Sequence, residues 1–215
     1  MLAARGANVA LAAKTTEPHP KLPGTIYTAA EECEALGGGG GALPVYLDIR
    51  DDESVQASVD ATVKEFGGLD ILINNASAIG NTGTLETSSK KYDLMHTVNG
   101  RGTFVTSRAA LPHLLESKAG GRVLNLSPPL NLDPRWLEIG GTAYTMAKYN
   151  MSLCALGMSE EFRGKVAFNC LWPRTAIATA AVEMLAGSAG MQASREVGCM
   201  SEAAEYILTR DVDVT

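Results

Sequence analysis

Tyr144 and Lys148 bracket the run Tyr144-Thr-Met-Ala-Lys148. On a helix, positions four apart lie on one face, about 5–6 Å from each other. An ammonium at that distance favours the phenolate and lowers the phenol's pKa from its ordinary value of about 10. A tyrosine tuned that way takes a proton from a hydroxyl, or gives one to a carbonyl, near neutral pH. Taken alone, such a pair more often marks a solvated tyrosine and lysine on a helix surface. Four further markers, in order along the chain, shift that balance. Asn74-Asn75-Ala76-Ser77 leaves the apolar run Leu69–Ile73; Asn99 sits in Val98-Asn99-Gly100-Arg101-Gly102; Ser127 follows Arg122–Leu126; Pro173 follows Lys165–Leu171. Each has an ordinary structural use, as a turn, a close helix contact, a strand end or a stop. Their joint occurrence points to one site.

Such residues need elements to hold them. Asn8–Ala13, Leu43–Leu47 (closed by Asp48), Leu69–Ile73, Arg122–Leu126 and Lys165–Leu171 are short apolar runs that read as strands. Between them, Thr25–Leu36 and Thr142–Phe162 have helical composition. Glu53–Phe66 carries Val55, Val59, Val63 and Phe66 near a 3.6-residue period and stops at Gly67-Gly68. Residues from Lys90 to Glu116 read as one long helix with a kink or break at Pro112. Lys14–Gly24 is a loop, and Arg174–Thr215 mixes helix and loop. Strands that are apolar on both faces and alternate with helices specify a parallel sheet covered on both sides. The expected fold is a Rossmann-like, doubly wound α/β/α sandwich forming one domain over residues 1–215. The Asn74–Ser77 turn then lies at a strand's C-terminal end, where open α/β sheets bind ligands.

Composition narrows the partners. A formal net charge of −6 over 215 residues argues against nucleic acid and against anionic membranes, which demand a basic face. No apolar run approaches the roughly 20 residues of a membrane span. The four scattered cysteines read as reduced, mostly buried thiols of an intracellular protein, cytoplasmic by default, with peroxisome and mitochondrion also open. The three histidines are too far apart for metal-ligand spacing, so no metal site is expected.

With Asn74–Ser77, Asn99, Ser127 and Tyr144–Lys148 in this order, the chain resembles the short-chain dehydrogenase/reductase family over essentially its whole length. The resemblance implies an NAD(P)-dependent oxidoreductase that interconverts a secondary alcohol and a carbonyl. Tyr144 is then the general acid/base. Lys148 binds the nicotinamide ribose and keeps Tyr144 acidic. Asn99 holds a water of the proton relay, and Ser127 polarises the substrate carbonyl. Asp48 contacts the adenine ring, and Asn75 with Ala76 the adenosine side. Lys14, past the first strand, is placed to meet a 2′-phosphate, which favours NADP(H) over NAD(H); a solvated loop lysine is the plainer use. The resemblance also implies a homo-oligomer assembled through Lys90–Glu116 and Thr142–Phe162. The substrate loop, about Arg174–Gly198, is rich in Ala, Gly and Met and suggests a small lipid-like or steroid-like substrate.

Two departures stand out. The family's Ser-Ser pair is Ser127-Pro128 here, and the usually catalytic second position has no hydroxyl; an added Asn131–Trp136 segment lengthens the path to Tyr144. The family also opens with a strand and a glycine-rich turn, whereas this chain begins near the end of the following helix, at Met1–Gly6. The run Gly37–Gly41 follows a helix and precedes a strand, so it is expected to be a loose loop and not a phosphate cradle. Without the first strand, Asn8–Ala13 and Leu69–Ile73 should face each other across a gap of one strand, each with unpaired backbone groups. A final strand after Thr209 is expected to be missing as well. A catalytically impaired fragment or isoform that acts as an oligomerising module is the competing expectation.

Overall fold

The computed structural model describes residues 1–18 and 24–210. Part of the expected Lys14–Gly24 loop and the last five residues lie outside them. Five parallel strands, β1 (Val9–Ala13), β2 (Ala42–Tyr46), β3 (Ile71–Asn74), β4 (Gly121–Asn125) and β5 (Val166–Cys170), alternate with helices. The helices are α1 (Ile26–Ala35), α2 (Asp52–Phe66), α3 (Ser89–Met95), α4 (Gly102–Leu115), α5 (Pro134–Gly140), α6 (Thr142–Glu161), α7 (Ala180–Gln192) and α8 (Gly198–Leu208). Local sequence explains their starts. Thr25 and Thr28 cap α1 reciprocally, side chain to backbone N–H at 3.2 and 2.8 Å. Asp51 caps α2 by accepting from Glu53 N–H at 3.1 Å.

The strands form two separate sheets. β1 pairs with β2 in the register Val9↔Ala42 to Ala13↔Tyr46. β3, β4 and β5 form the other, with Ile71↔Arg122 and Gly121↔Val166 as first partners. Among the described residues, no ladder joins β1 to β3, so each keeps one unpaired edge, as expected for a sheet interrupted between them. The main apolar core belongs to the three-stranded half. Ala110, Leu111 and Leu114 of α4 bury themselves against Val123 and Val166, with Leu72, Phe162 and Phe168 around them. β1, by contrast, contains no buried residue.

Three expectations need correction. The glycine run is not loose. A Cβ on Gly38 would stand 1.9 Å from the Ala3 carbonyl oxygen, and one on Gly40 would stand 2.2 Å from that of Ala7, so backbone lies directly on backbone. The run therefore anchors the N-terminal 3₁₀ turn Ala3–Arg5, whose Arg5 also forms an ion pair with Glu205 of α8. Second, the helix from Ser89 is not uniform: His96–Arg101 forms a π turn between α3 and α4, and Pro112 sits inside α4 without ending it. Third, no cysteine is buried; Cys33, Cys154 and Cys199 are partly exposed and Cys170 is exposed. No helix among the described residues is long and apolar enough to cross a membrane.

Candidate active site

The site forms where α6, the π turn and the loops after β3, β4 and β5 meet. Asn99, fully buried in the π turn, grips the loop after β3: its Oδ1 accepts from Ala78 N–H at 2.8 Å and its Nδ2 donates to Ala78 O at 3.0 Å. A π turn adds a residue to a helix and re-aims a side chain, which is why it recurs at functional positions. Ala78 and Tyr144 both pack against the buried cluster of Met95, Ala143 and Ala147. The expected water on Asn99 has to share an amide already bonded at both ends. Gly100 lets α6 close on the π turn, since a Cβ there would stand 2.8 Å from Asn150 Cβ.

The loop after β4 is held by α6 at two carbonyls. Lys148 Nζ donates to Leu126 O at 2.6 Å, and Ser152 Oγ donates to Pro128 O at 2.6 Å. Ser127 lies between them, 1% exposed, and its Oγ has no hydrogen-bond partner among the described residues. A free hydroxyl at this buried position is a donor in waiting, so the loss of the neighbouring serine to Pro128 leaves one hydroxyl in place. The Asn131–Trp136 segment extends into α5, which the sequence reading did not foresee. Asp133 as N-cap, accepting from Arg135 N–H at 3.1 Å, followed by Pro134 at the first helical position, is the signal that marks it.

The electrostatics differ from expectation. Tyr144 was expected to be acidified by Lys148, yet its pKa is raised: burial penalises the phenolate, and the neighbouring Ser77 hydroxyl offsets this only in part. The physical reason is where the ammonium goes. Lys148, 3% exposed, donates to Leu126 O and to Met151 Sδ at 3.2 Å, and desolvation lowers its pKa to about 8.

Lys14 and Asp48 meet on the other sheet. Lys14 Nζ lies 3.1 Å from Asp48 Oδ2, and Arg50 binds the same carboxylate through Nη2 at 2.6 Å and Nε at 2.8 Å. Arg50 foremost, then Lys14, hold the Asp48 carboxyl well below the usual carboxylate range. The two cations leave this cluster with one net positive charge. Asn75 and Ala76 are exposed on the turn leaving β3. Arg101 of the π turn bridges the two regions, donating to Arg50 O at 3.2 Å and pairing with Asp52.

Beneath the site runs a polar network that the sequence reading missed. Asn74 Nδ2 donates to Asn125 Oδ1 at 2.8 Å and to Ser107 Oγ at 3.1 Å, while Asn125 Nδ2 donates to Met151 O at 2.9 Å. It ties β3, β4, α4 and α6 together. Asn74 and Asn125 are register partners at two apolar strand ends, the only sequence-level hint of it.

The chain thus combines a parallel α/β sandwich with these side chains gathered beside the loops that leave β3 and β4. A family model described as short chain dehydrogenase matches residues 1–202, and the chain belongs to the short chain dehydrogenase family. It is 57% identical over 210 residues to hydroxysteroid dehydrogenase-like protein 2 of Danio rerio, covering 98% of this chain and 50% of that protein. The Homo sapiens protein of the same name is 52% identical, with 98% and 49% covered. The chain thus spans about half the length of the curated relatives it matches. Among solved structures, a short chain dehydrogenase from Mycobacterium thermoresistibile is 50% identical with a TM-score of 0.91, covering 100% of this chain and 75% of that one. A short chain dehydrogenase from Burkholderia cenocepacia J2315 in complex with NADP superposes with a TM-score of 0.80 at 24% identity, covering 98% and 83%, and shares the fold.

Proposed function

We propose that the chain serves an NAD(P)-dependent oxidoreductase that interconverts a carbonyl and a secondary alcohol, with Tyr144 as general acid/base. The observation carrying this reading is the convergence of four side chains on two loops: Asn99 bonds Ala78 and Tyr144 neighbours Ser77 on the first, while Lys148 bonds Leu126 beside Ser127 on the second. A nicotinamide dinucleotide, when bound, supplies or accepts the hydride. Lys148 would hold its ribose, Asn75, Ala76 and Asp48 its adenosine, and Lys14 with Arg50 a 2′-phosphate. The partnerless Ser127 Oγ and the ammonium held by neutral groups alone fit that assignment, and the net charge of the Lys14–Asp48–Arg50 cluster supports NADP(H). For the pyrophosphate, the described residues contain no glycine-rich turn of the T-G-x-x-x-G-x-G type between a strand and a helix.

Burial raises the Tyr144 pKa, so the phenol holds its proton; in the reducing direction that is the proton it would give to the carbonyl oxygen. Ser127 can donate a second hydrogen bond to the same oxygen. The exposed Met184 and Leu185 of α7, within the loop region expected to select substrate, and the hydroxysteroid dehydrogenase-like name of the relatives support an apolar, lipid-like or steroid-like substrate. A second reading, assembly with further copies through α4 and α6, is favoured by Phe104, Leu115, Leu153 and Leu156, all exposed on those helices. NADPH titration followed by intrinsic fluorescence separates the two. Saturable micromolar binding, with turnover of apolar carbonyls lost in Tyr144→Phe while binding is kept, supports the oxidoreductase. No binding together with a stable oligomer on sizing chromatography supports assembly alone.

A further inference from the structure

Trp172 follows β5 directly and is 40% exposed. Its ring lies over the Lys148 ammonium, with Nζ 5.4 Å from the ring centroid. Among the described residues that ammonium has no carboxylate partner. Its bonds run to the Leu126 carbonyl and the Met151 thioether. The titratable groups on neighbouring elements, His96 of the π turn, Asp93 of α3, Glu138 of α5 and Cys170 of β5, with Tyr144 on its own helix, make no bond to Nζ among the described residues. A buried cation ordinarily requires a counter-charge, and an indole face is the strongest neutral substitute a side chain offers.

We propose that Trp172 is a positioning residue for Lys148, its indole face completing, with the Leu126 carbonyl and the Met151 thioether, a neutral three-sided cage that holds the ammonium charged and in place. The cage also explains why Trp172 is partly exposed. One face covers the ammonium, and the remainder of the ring opens outward, so a shift of a single side chain uncovers Lys148. The consequence for turnover rests on the oxidoreductase reading above; the cage itself does not, and it is tested without substrate or cofactor.

The chain has two tryptophans, Trp136 and Trp172, so Trp136→Phe leaves Trp172 as the sole indole reporter. Its fluorescence, titrated from pH 6 to 10, should show one transition centred near 8, where Lys148 loses its proton. The transition should vanish in Trp136→Phe/Lys148→Met, with circular dichroism confirming that both variants are folded. A flat trace in the first variant, or a transition that survives in the second, overturns the proposal. In a second arm, Trp172→Ala should make Lys148 react about tenfold faster with an amine-directed acylating reagent at pH 6, read by peptide mass spectrometry against Lys64. That factor corresponds to a cation–π contact of roughly 1.4 kcal/mol. Trp172→Phe, which keeps an aromatic face, should restore most of the protection. Equal Lys148 reactivity in wild type and Trp172→Ala also overturns the cage. If the cage stands while NADPH fails to bind, only the oxidoreductase reading falls.

Discussion

Replacing Lys148 with methionine tests how the fold tolerates its buried charge. The ammonium is 3% exposed, and its pKa falls from 10.5 to about 8 through desolvation. Because the folded-state value lies below the unfolded one, the folded protein resists protonation. The penalty is fully present below about pH 8 and fades as the pH rises towards 10.5. A depression of that size amounts to about 3 kcal/mol at pH 7 and leaves about 1.5 kcal/mol at pH 9.5. Lys148→Met removes this pH-dependent part entirely. It also strips the Leu126 carbonyl of its donor, at about 1–3 kcal/mol, but that loss does not vary with pH. Urea unfolding of both proteins at pH 7 and pH 9.5 should therefore show the stability of the variant relative to wild type falling by about 2 kcal/mol between the two conditions. At pH 7 the variant should be equal to wild type or more stable. Parallel pH curves for the two proteins would refute the buried-ammonium argument.

Gly40→Ala would drive its Cβ into the Ala7 carbonyl, 2.2 Å away. It should destabilise by about 1–3 kcal/mol in chemical denaturation, whereas the solvent-facing Gly68→Ala, which meets nothing within 4 Å, should change little. Asn99→Ala removes both bonds to Ala78 and leaves that half-buried backbone unpaired, so a loss of about 1–3 kcal/mol is expected by the same measurement. Ser127→Ala deletes a buried hydroxyl that has no partner, so thermal stability should hold or rise slightly. Carbonyl turnover should nevertheless drop in steady-state assays, and a marked fall in stability would show that the hydroxyl is bonded after all.

The α/β architecture was readable because periodicity and strand–helix alternation are local properties: all five strands appear where their apolar runs lie, to within two residues. The interruption between β1 and β3 followed from strand count and family order. Tertiary geometry was harder to see. Helical spacing places Tyr144 and Lys148 on one face, but it does not say that a carbonyl and a thioether will draw the ammonium away from the phenol. The π turn carries no periodicity signature, because one added residue in a helix looks like noise in hydropathy. Gly37–Gly41 resembles a flexible linker in composition, and only the approach of Ala3 and Ala7 reveals its packing role. Trp172 carries no signal of its own, since nothing in sequence brings it near Lys148. The α5 helix was the avoidable miss, as Asp133-Pro134 is a start signal.

The division into two sheets also sorts the molecule by firmness. Tyr144, Lys148, Ser127 and Asn99 ride on the half that owns the main core and the Asn74–Asn125 network, while Lys14 and Asp48 hang from β1 and β2. Cooperative opening units tend to follow such boundaries, and amides in weakly buried strands exchange with solvent through lower-energy openings. On the reading proposed above, the side chains assigned to proton transfer are accordingly preorganised before any ligand arrives. Capture of a nucleotide at the other end would be spent largely on quieting a more restless half.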